Sequence, residues 1–130
     1  MSEMFAAIGN ARSGLSVYRQ VLDAVGDNIA NMNDARRTTD AAFQARYVLA
    51  DSNENGGAQV TGVGYGNAAG KVVNEPSNPL ADAQGNVRYP DIDLSEQMVT
   101  MLIAQRAYQA NLSGVDRVKD AYQQALALGK

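Results

Sequence analysis

Asp91, Asp93 and Glu96 form the densest group of carboxylates in the chain. Paired carboxylates perform general acid–base chemistry when a cleft sets their pKa values apart. The same residues have a plainer reading. Asp93 stands where an N-cap would, and Glu96 three residues on completes a capping-box pattern in which each side chain reaches the other's backbone N–H. The run Gly62-Val63-Gly64-Tyr65-Gly66 has the glycine content of a phosphate loop. Such a loop opens a helix whose N-terminal amides face the anion. Here a strand-like segment follows and no Gly-Lys-Ser/Thr occurs, so the run reads as a turn or a close backbone approach. Asp82, Gln84, Gly85 and Asn86 lack the spaced carboxylates and distant glutamate of a calcium loop and read as a plain turn. Histidine and cysteine are absent. That removes Ser-His-Asp and Cys-His nucleophiles, Cys/His zinc sites and disulfides. No catalytic, cofactor-binding or metal-ligating residue is assigned, and no enzyme activity is expected.

The elements that would position any site are easier to read. Met4, Ile8, Ala11, Leu15, Tyr18, Leu22, Val25, Ile29 and Met32 recur at alternating spacings of four and three. Leu94, Met98, Met101, Tyr108, Leu112, Val115, Tyr122 and Leu126 keep the same beat, with Gln105 and Lys119 as polar interruptions. A 4-3 repeat is the seam of a coiled coil. The interruptions either set the register or rotate out as the seam shifts onto Ala104 and Val118. The spacing predicts a helix over residues 2–33 and a second from Leu94 to about Leu128, with Gly129 ending it and Lys130 at the negative end of its dipole. Gly9, Gly14 and Gly26 weaken the first helix by about 1 kcal/mol each relative to alanine, and read either as close-packing points or as tolerated small residues.

Between the helices the pattern changes. Phe43 to Ala50 is extended or helical, Asp51–Gly57 is a loop, Gln59–Gly66 alternates Val60, Gly62, Gly64 and Gly66 with other residues, Lys71–Asn74 is a short strand candidate and Val87–Tyr89 is another short extended piece. Pro76, Asn78 and Pro79 enforce a turn, as does Gly85 within Asp82–Asn86. The expected fold is therefore mainly α. Residues 1–33 and 94–130 pair as a coiled coil in one inner domain, and 34–93 form a small β-rich or irregular insert.

The chain has 130 residues and a net charge of -3, from 11 basic and 14 acidic side chains. That balance gives no footprint for nucleic acid or for anionic membrane. No apolar run reaches the ~20 residues of a membrane span, and residues 1–15 lack a signal-peptide core. Two seams without catalytic equipment suggest a protein that pairs its termini and assembles with copies of itself. A soluble coiled-coil adaptor or chaperone, which would form stable dimers in dilute solution, and a small enzyme, which would need a deep polar pocket, are the competing classes.

Particular motifs narrow this. Asn28-Ile29-Ala30-Asn31 resembles the N-[IL]-A-N signature of bacterial flagellar rod and hook proteins. Glu75–Asp93 (EPSNPLADAQGNVRYPDID), with Asn78, Pro79, Asp82, Gly85, Tyr89 and Pro90, is similar to the segment before the C-terminal helix in the proximal-rod members of that family. Glu96-Gln97-Met98-Val99, the run Arg106, Ala107, Tyr108, Gln109, Ala110, Asn111, and the ending Ala127–Lys130 resemble further family elements. Asp34–Thr39 (DARRTT) stands where many relatives carry a T-x-G-[YF] turn. The resemblance implies a structural subunit of the flagellar basal body, either a proximal-rod protein of this type or a neighbouring axial subunit. It further implies export by the flagellar type III apparatus without a cleaved signal and assembly across the periplasm. Partners would be copies of itself and other rod proteins, with no cofactor, nucleic acid or membrane insertion.

Overall fold

The structure is a computed structural model, which describes residues 2–129; Met1 and Lys130, with the dipole role expected of the latter, lie outside the described residues. The elements run α1 (Ser2–Ala30), β1 (Arg46–Ser52), β2 (Ala58–Tyr65), β3 (Lys71–Asn74), β4 (Asn86–Tyr89) and α2 (Leu94–Leu128).

Both helices form where the apolar period predicts them. Helix α1 ends three residues early, because Asn31–Asn33 turn away. Helix α2 starts as the cap pattern requires: Asp93 is extended (φ -92, ψ 115) and its carboxylate accepts from the amides of Ser95 at 2.8 Å and Glu96 at 3.4 Å. Glu96 makes no return bond among the described residues, so only half of the expected capping box is formed. Gly129 closes the helix through its N–H to the carbonyl of Ala125, at φ -81, so its left-handed freedom is unused.

The insert is two antiparallel hairpins. β1 pairs with β2, with a bulge between Leu49 and Ala50. β3 pairs with β4. Arg36 adds a bridge to β4, exchanging backbone bonds with Arg88 at 2.8 and 2.9 Å. The glycine run 62–66 lies in and just after β2 with no helix behind it. Phe43–Ala50 resolves as extended from Arg46 onward. Gly70 takes φ 58 where a Cβ would sit 2.1 Å from the carbonyl oxygen of Tyr89, so only glycine admits the β3 entry.

The expectation of a mainly α chain whose helices pair as a coiled coil is corrected here. Half of the described residues are helical and close to a fifth are in strands, with both hairpins regularly paired. The helices do lie antiparallel, yet α1 divides its contacts between α2 and the β1–β2 hairpin. A helix with two partners on adjacent flanks buries a broad face, not the narrow seam of a two-stranded coil. Its buried residues are Gly14, Val17, Ala24, Val25 and Asn28, and those of α2 are Gln97 and Ala104. Small side chains let the elements approach. Ala42, Ala45, Val87 and Ile92 extend this core into the insert.

Candidate assembly surface

Three levels of contact hold the helix pair. At the insert end the Asn28 side chain, 0 % exposed, donates through Nδ2 to the Arg46 carbonyl and to Gln97 Oε1, both at 3.0 Å. Its Oδ1 accepts from the Arg46 N–H at 2.8 Å. One amide thereby joins α1, β1 and α2. Beside it Arg46 pairs with Asp27, and Asn31 Nδ2 donates to the Asp27 carbonyl at 2.8 Å. In the middle Gly14 receives the Asn111 amide so closely that a Cβ would lie 2.7 Å from its Oδ1. Asn111 is oriented by donating to the Ala107 carbonyl at 2.9 Å. Near the tip Phe5 meets Tyr122 with ring centroids 6.5 Å apart.

The 75–90 segment is held by its own polar groups. Glu75 accepts from Asn78 at 3.0 Å and from the Tyr89 hydroxyl at 2.9 Å. These bonds, Asn78 first, hold its carboxyl below the usual range, against a weaker upward push from desolvation. The same contact raises the Tyr89 phenol. Asp82 accepts from the amides of Asn86 and Gln84 and from the Thr38 hydroxyl, all at 2.9 Å. Its carboxyl is likewise lowered, mainly by the Asn86 N–H. Asn78 Oδ1 accepts from the Leu80 N–H at 2.9 Å, Gly85 and Pro90 are buried, and Pro79 is exposed. Among the described residues no cluster is suited to hold a metal ion.

The stripe residues are only partly covered in one chain. Val25 is buried; Met4, Ile8, Ala11, Leu15, Tyr18, Leu22, Ile29 and Met32 are half-buried. On α2, Met101, Tyr108, Val115 and Tyr122 are half-buried, while Leu94, Met98, Leu112 and Leu126 are exposed. Gln105 and Lys119 face outward, with Ala104 buried and Val118 half-buried, so the buried line has rotated off the polar interruptions. Ala30 ends α1 exposed, and Arg106 is exposed on α2. The β1–β2 turn rests on α1: Ser13 Oγ accepts from the Ala58 N–H at 3.0 Å, and Gly56 and Gly57 sit against Asn10 and Ser13.

The uncovered area is large. Leu94, Met98, Val99, Leu102 and Ile103 are each exposed within three turns of α2. A patch of this kind marks an interaction surface. Among the described residues no helix is long and apolar enough to cross a membrane.

Sequence reasoning missed Gln97 and Arg88. Gln97 is 2 % exposed, one residue off the stripe, and polarity concealed its burial. Arg88 donates to the carbonyls of Ala69 and, at 2.7 Å, Thr38, tying residues 34–42 to β4. An arginine in a four-residue strand carries no signal of that role.

The family model described as "Flagellar basal body rod FlgEFG protein C-terminal" matches residues 83–128. The chain is 34% identical over 125 residues to the flagellar basal-body rod protein FlgC of Escherichia coli O157:H7, covering 92% of this chain and 93% of that one. It is equally similar, at 34% and the same coverage, to FlgC of Salmonella typhimurium. Against FlgC of Bacillus subtilis the identity is 24% over 147 residues, with 97% and 98% covered.

Proposed function

The chain belongs to the family of flagellar basal-body rod proteins named FlgC, and from that premise we propose how its geometry serves a rod. It is a structural subunit of the flagellar rod, resides in the basal body and assembles with itself and other rod components. The observation that carries the mechanical reading is the uncovered apolar face of α2 from Leu94 to Ile103. At about 25 cal/mol per Å² of apolar surface, covering that face supplies the drive for assembly, and it is available only when subunits meet. Contacts that do not close on themselves generate open helical assemblies. Two helices of about 45 and 50 Å, at ~1.5 Å per residue, are stiff enough to transmit torque.

The finer reading places the subunit in the proximal rod within the periplasm, delivered by the flagellar type III apparatus with its N-terminal segment retained. Its role is that of a scaffold without catalysis, nucleic acid or membrane insertion. The motif resemblance along Asn28–Asn31 and Glu75–Asp93 supports this placement.

Deletion of the gene with quantitative mass spectrometry of purified basal bodies tests the reading. Cells lacking the protein should have no complete rod and no motility, and the complemented strain should carry the protein with its N-terminal peptide intact. Rods that assemble normally without it would overturn the assignment. A cleavage site around residues 15–30 would overturn the export route alone.

A further inference from the structure

Arg12 and Arg19 stand two turns apart on one flank of α1, with Leu15 and Ser16 between them. With Tyr108 of α2 they line a groove of about 240 Å³. Both arginines are exposed. The ion pairs among the described residues join Arg36 to Asp34, Arg46 to Asp27 and Lys71 to Asp91, so neither arginine has a carboxylate partner among them. At 3.6 residues per turn this flank is turned about a third of a turn away from Ser13 and Gln20, which face the β1–β2 hairpin.

Helix α2 presents the complement. Leu112, Asp116 and Asp120 follow one another at i, i+4 and i+8 on a single outer flank, all exposed, and neither aspartate has a cationic partner among the described residues. The two flanks lie at different heights. Because Gly14 is level with Asn111 and Asn28 with Gln97, Arg12–Arg19 lie level with roughly positions 106–113. The aspartates lie eight to nine residues nearer the tip, about 13 Å at 1.5 Å per residue. That figure is between midpoints; Arg12 and Asp116 differ by only about 4.5 Å in height, yet no ion pair joins the two flanks among the described residues.

We propose that the Arg12–Arg19 flank of α1 receives the Asp116–Asp120 flank of α2 from a second copy of this chain, set side by side and displaced by about 13 Å along the helix axis. The proposal rests on the rod reading and adds which flanks meet. Two different patches joined with an axial offset make a heterologous contact that propagates instead of closing. Leu15, Tyr108 and Leu112 give the contact an apolar floor, which limits the solvent screening that makes exposed pairs weak. Charge opposition also favours this stagger, since a slip of one turn leaves one of the two arginines opposite Leu112 or Gln124 in place of an aspartate.

The chain has no cysteine, so introduced thiols report cleanly. Ser16→Cys and Asp120→Cys in one chain lie about 17 Å apart in height at 1.5 Å per residue, beyond disulfide reach within a subunit. Oxidation of basal bodies carrying this variant should give a ladder of multiples of the chain. In parallel, R12E with R19E, and D116K with D120K, should each reduce the protein in purified basal bodies about tenfold, the scale of two pairs lost and repelling. The four changes together should restore it to near the wild-type level. Circular dichroism of each purified variant establishes that it folds. Folded single-flank variants whose combination gives no recovery, disulfides formed only to a different rod protein, or monomer alone from variant-loaded basal bodies would each overturn the contact. Those outcomes leave the rod reading standing; wild-type protein missing from basal bodies would sink both.

Discussion

The Asn28 and Gln97 side chains meet at 3.0 Å across 69 residues of sequence, both buried. With the two bonds from Asn28 to the Arg46 backbone, this amide closes the insert end of the molecule. A buried polar network raises the cost of every wrong arrangement, because a slipped register leaves its members unpaired.

Replacing Asn28 by Leu should therefore be severe. It strands the Arg46 N–H and C=O and the Gln97 oxygen, and each buried unsatisfied group costs about 1–3 kcal/mol. Urea unfolding should show a loss of about 3 kcal/mol or more. Asn31→Ala removes one exposed bond to the Asp27 carbonyl and should cost less than about 1 kcal/mol. Equal losses would mean that the Asn28 network does not organise the fold.

The helix glycines separate into two kinds. Gly14 is pressed by Asn111, whereas a Cβ at Gly9 or Gly26 meets nothing within 4 Å. Gly14→Val should displace Asn111, push the helices apart and cost about 1–3 kcal/mol. Gly9→Ala and Gly26→Ala should each stabilise by up to about 1 kcal/mol through helix propensity. Thermal unfolding of the three variants checks the contrast, and a neutral Gly14→Val would remove the close approach as a feature of the pair.

Acid should loosen the 75–90 segment before the helices. The Asp82 and Glu75 carboxyls sit below their ordinary values of 3.8 and 4.5, because hydrogen bonds to Asn86 and Asn78 favour the charged forms. A depressed folded pKa contributes stability above the unfolded value and loses it as pH falls through the folded one. Amide chemical shifts of Gln84 and Asn86 should therefore move below about pH 4, and Asp82→Asn should remove that step. The Tyr89 phenol is displaced upward from 10.0 by its bond to Glu75. Its contribution is complete below the unfolded value and disappears as pH rises through the folded one.

The helices were legible because period and cap agree: the stripe marks their length and Asp93 marks the start of α2. The strands at Lys71–Asn74 and Asn86–Tyr89 were legible from valines between turn residues. What the pattern concealed was how the helices bury themselves. Leu, Ile and Met drew the seam, yet close approach selects Gly14, Ala24 and Ala104, and the larger residues end at the rim. Asn28 was visible as a motif letter, but its two partner residues, Arg46 and Gln97, lie in segments whose juxtaposition no local pattern encodes. The second partner of α1, the β1–β2 hairpin, was hidden for the same reason, which made the chain look more helical in its organisation than it is.

The apolar face of α2 separates folding from assembly. Met98 is 57 % exposed and Leu102 is also exposed, so Leu102→Glu removes little from the isolated subunit and should change its unfolding midpoint by less than about 0.5 kcal/mol equivalent. In a rod that buries this face, the same charge would be desolvated without a partner, at several kcal/mol. Motility should be lost while purified Leu102→Glu keeps its circular dichroism. Gln109→Glu, at a polar exposed position, should leave motility near normal. A motile Leu102→Glu strain would show that the face is not an interface.

Hydrogen exchange on dilute monomer should divide α1 in two. Residues 2–13 contain no buried side chain, and their tertiary anchors are the Phe5–Tyr122 contact and the turn at Asn10 and Ser13. Residues 14–28 hold Gly14, Val17, Ala24, Val25 and the Asn28 network. A helix end with so few partners opens locally at little cost, because isolated helical segments of this length are marginal in water. Amides of residues 6–13 should therefore exchange at least ~100-fold faster than those of 18–28, a difference of about 2.7 kcal/mol in opening free energy. Incorporation into basal bodies should erase the difference, since neighbours would cover Phe5, Ile8 and Leu126 as well as the inner half. Uniform protection along α1 in the monomer would show that one chain already buries what it needs, and would leave the uncovered tip without a role in assembly.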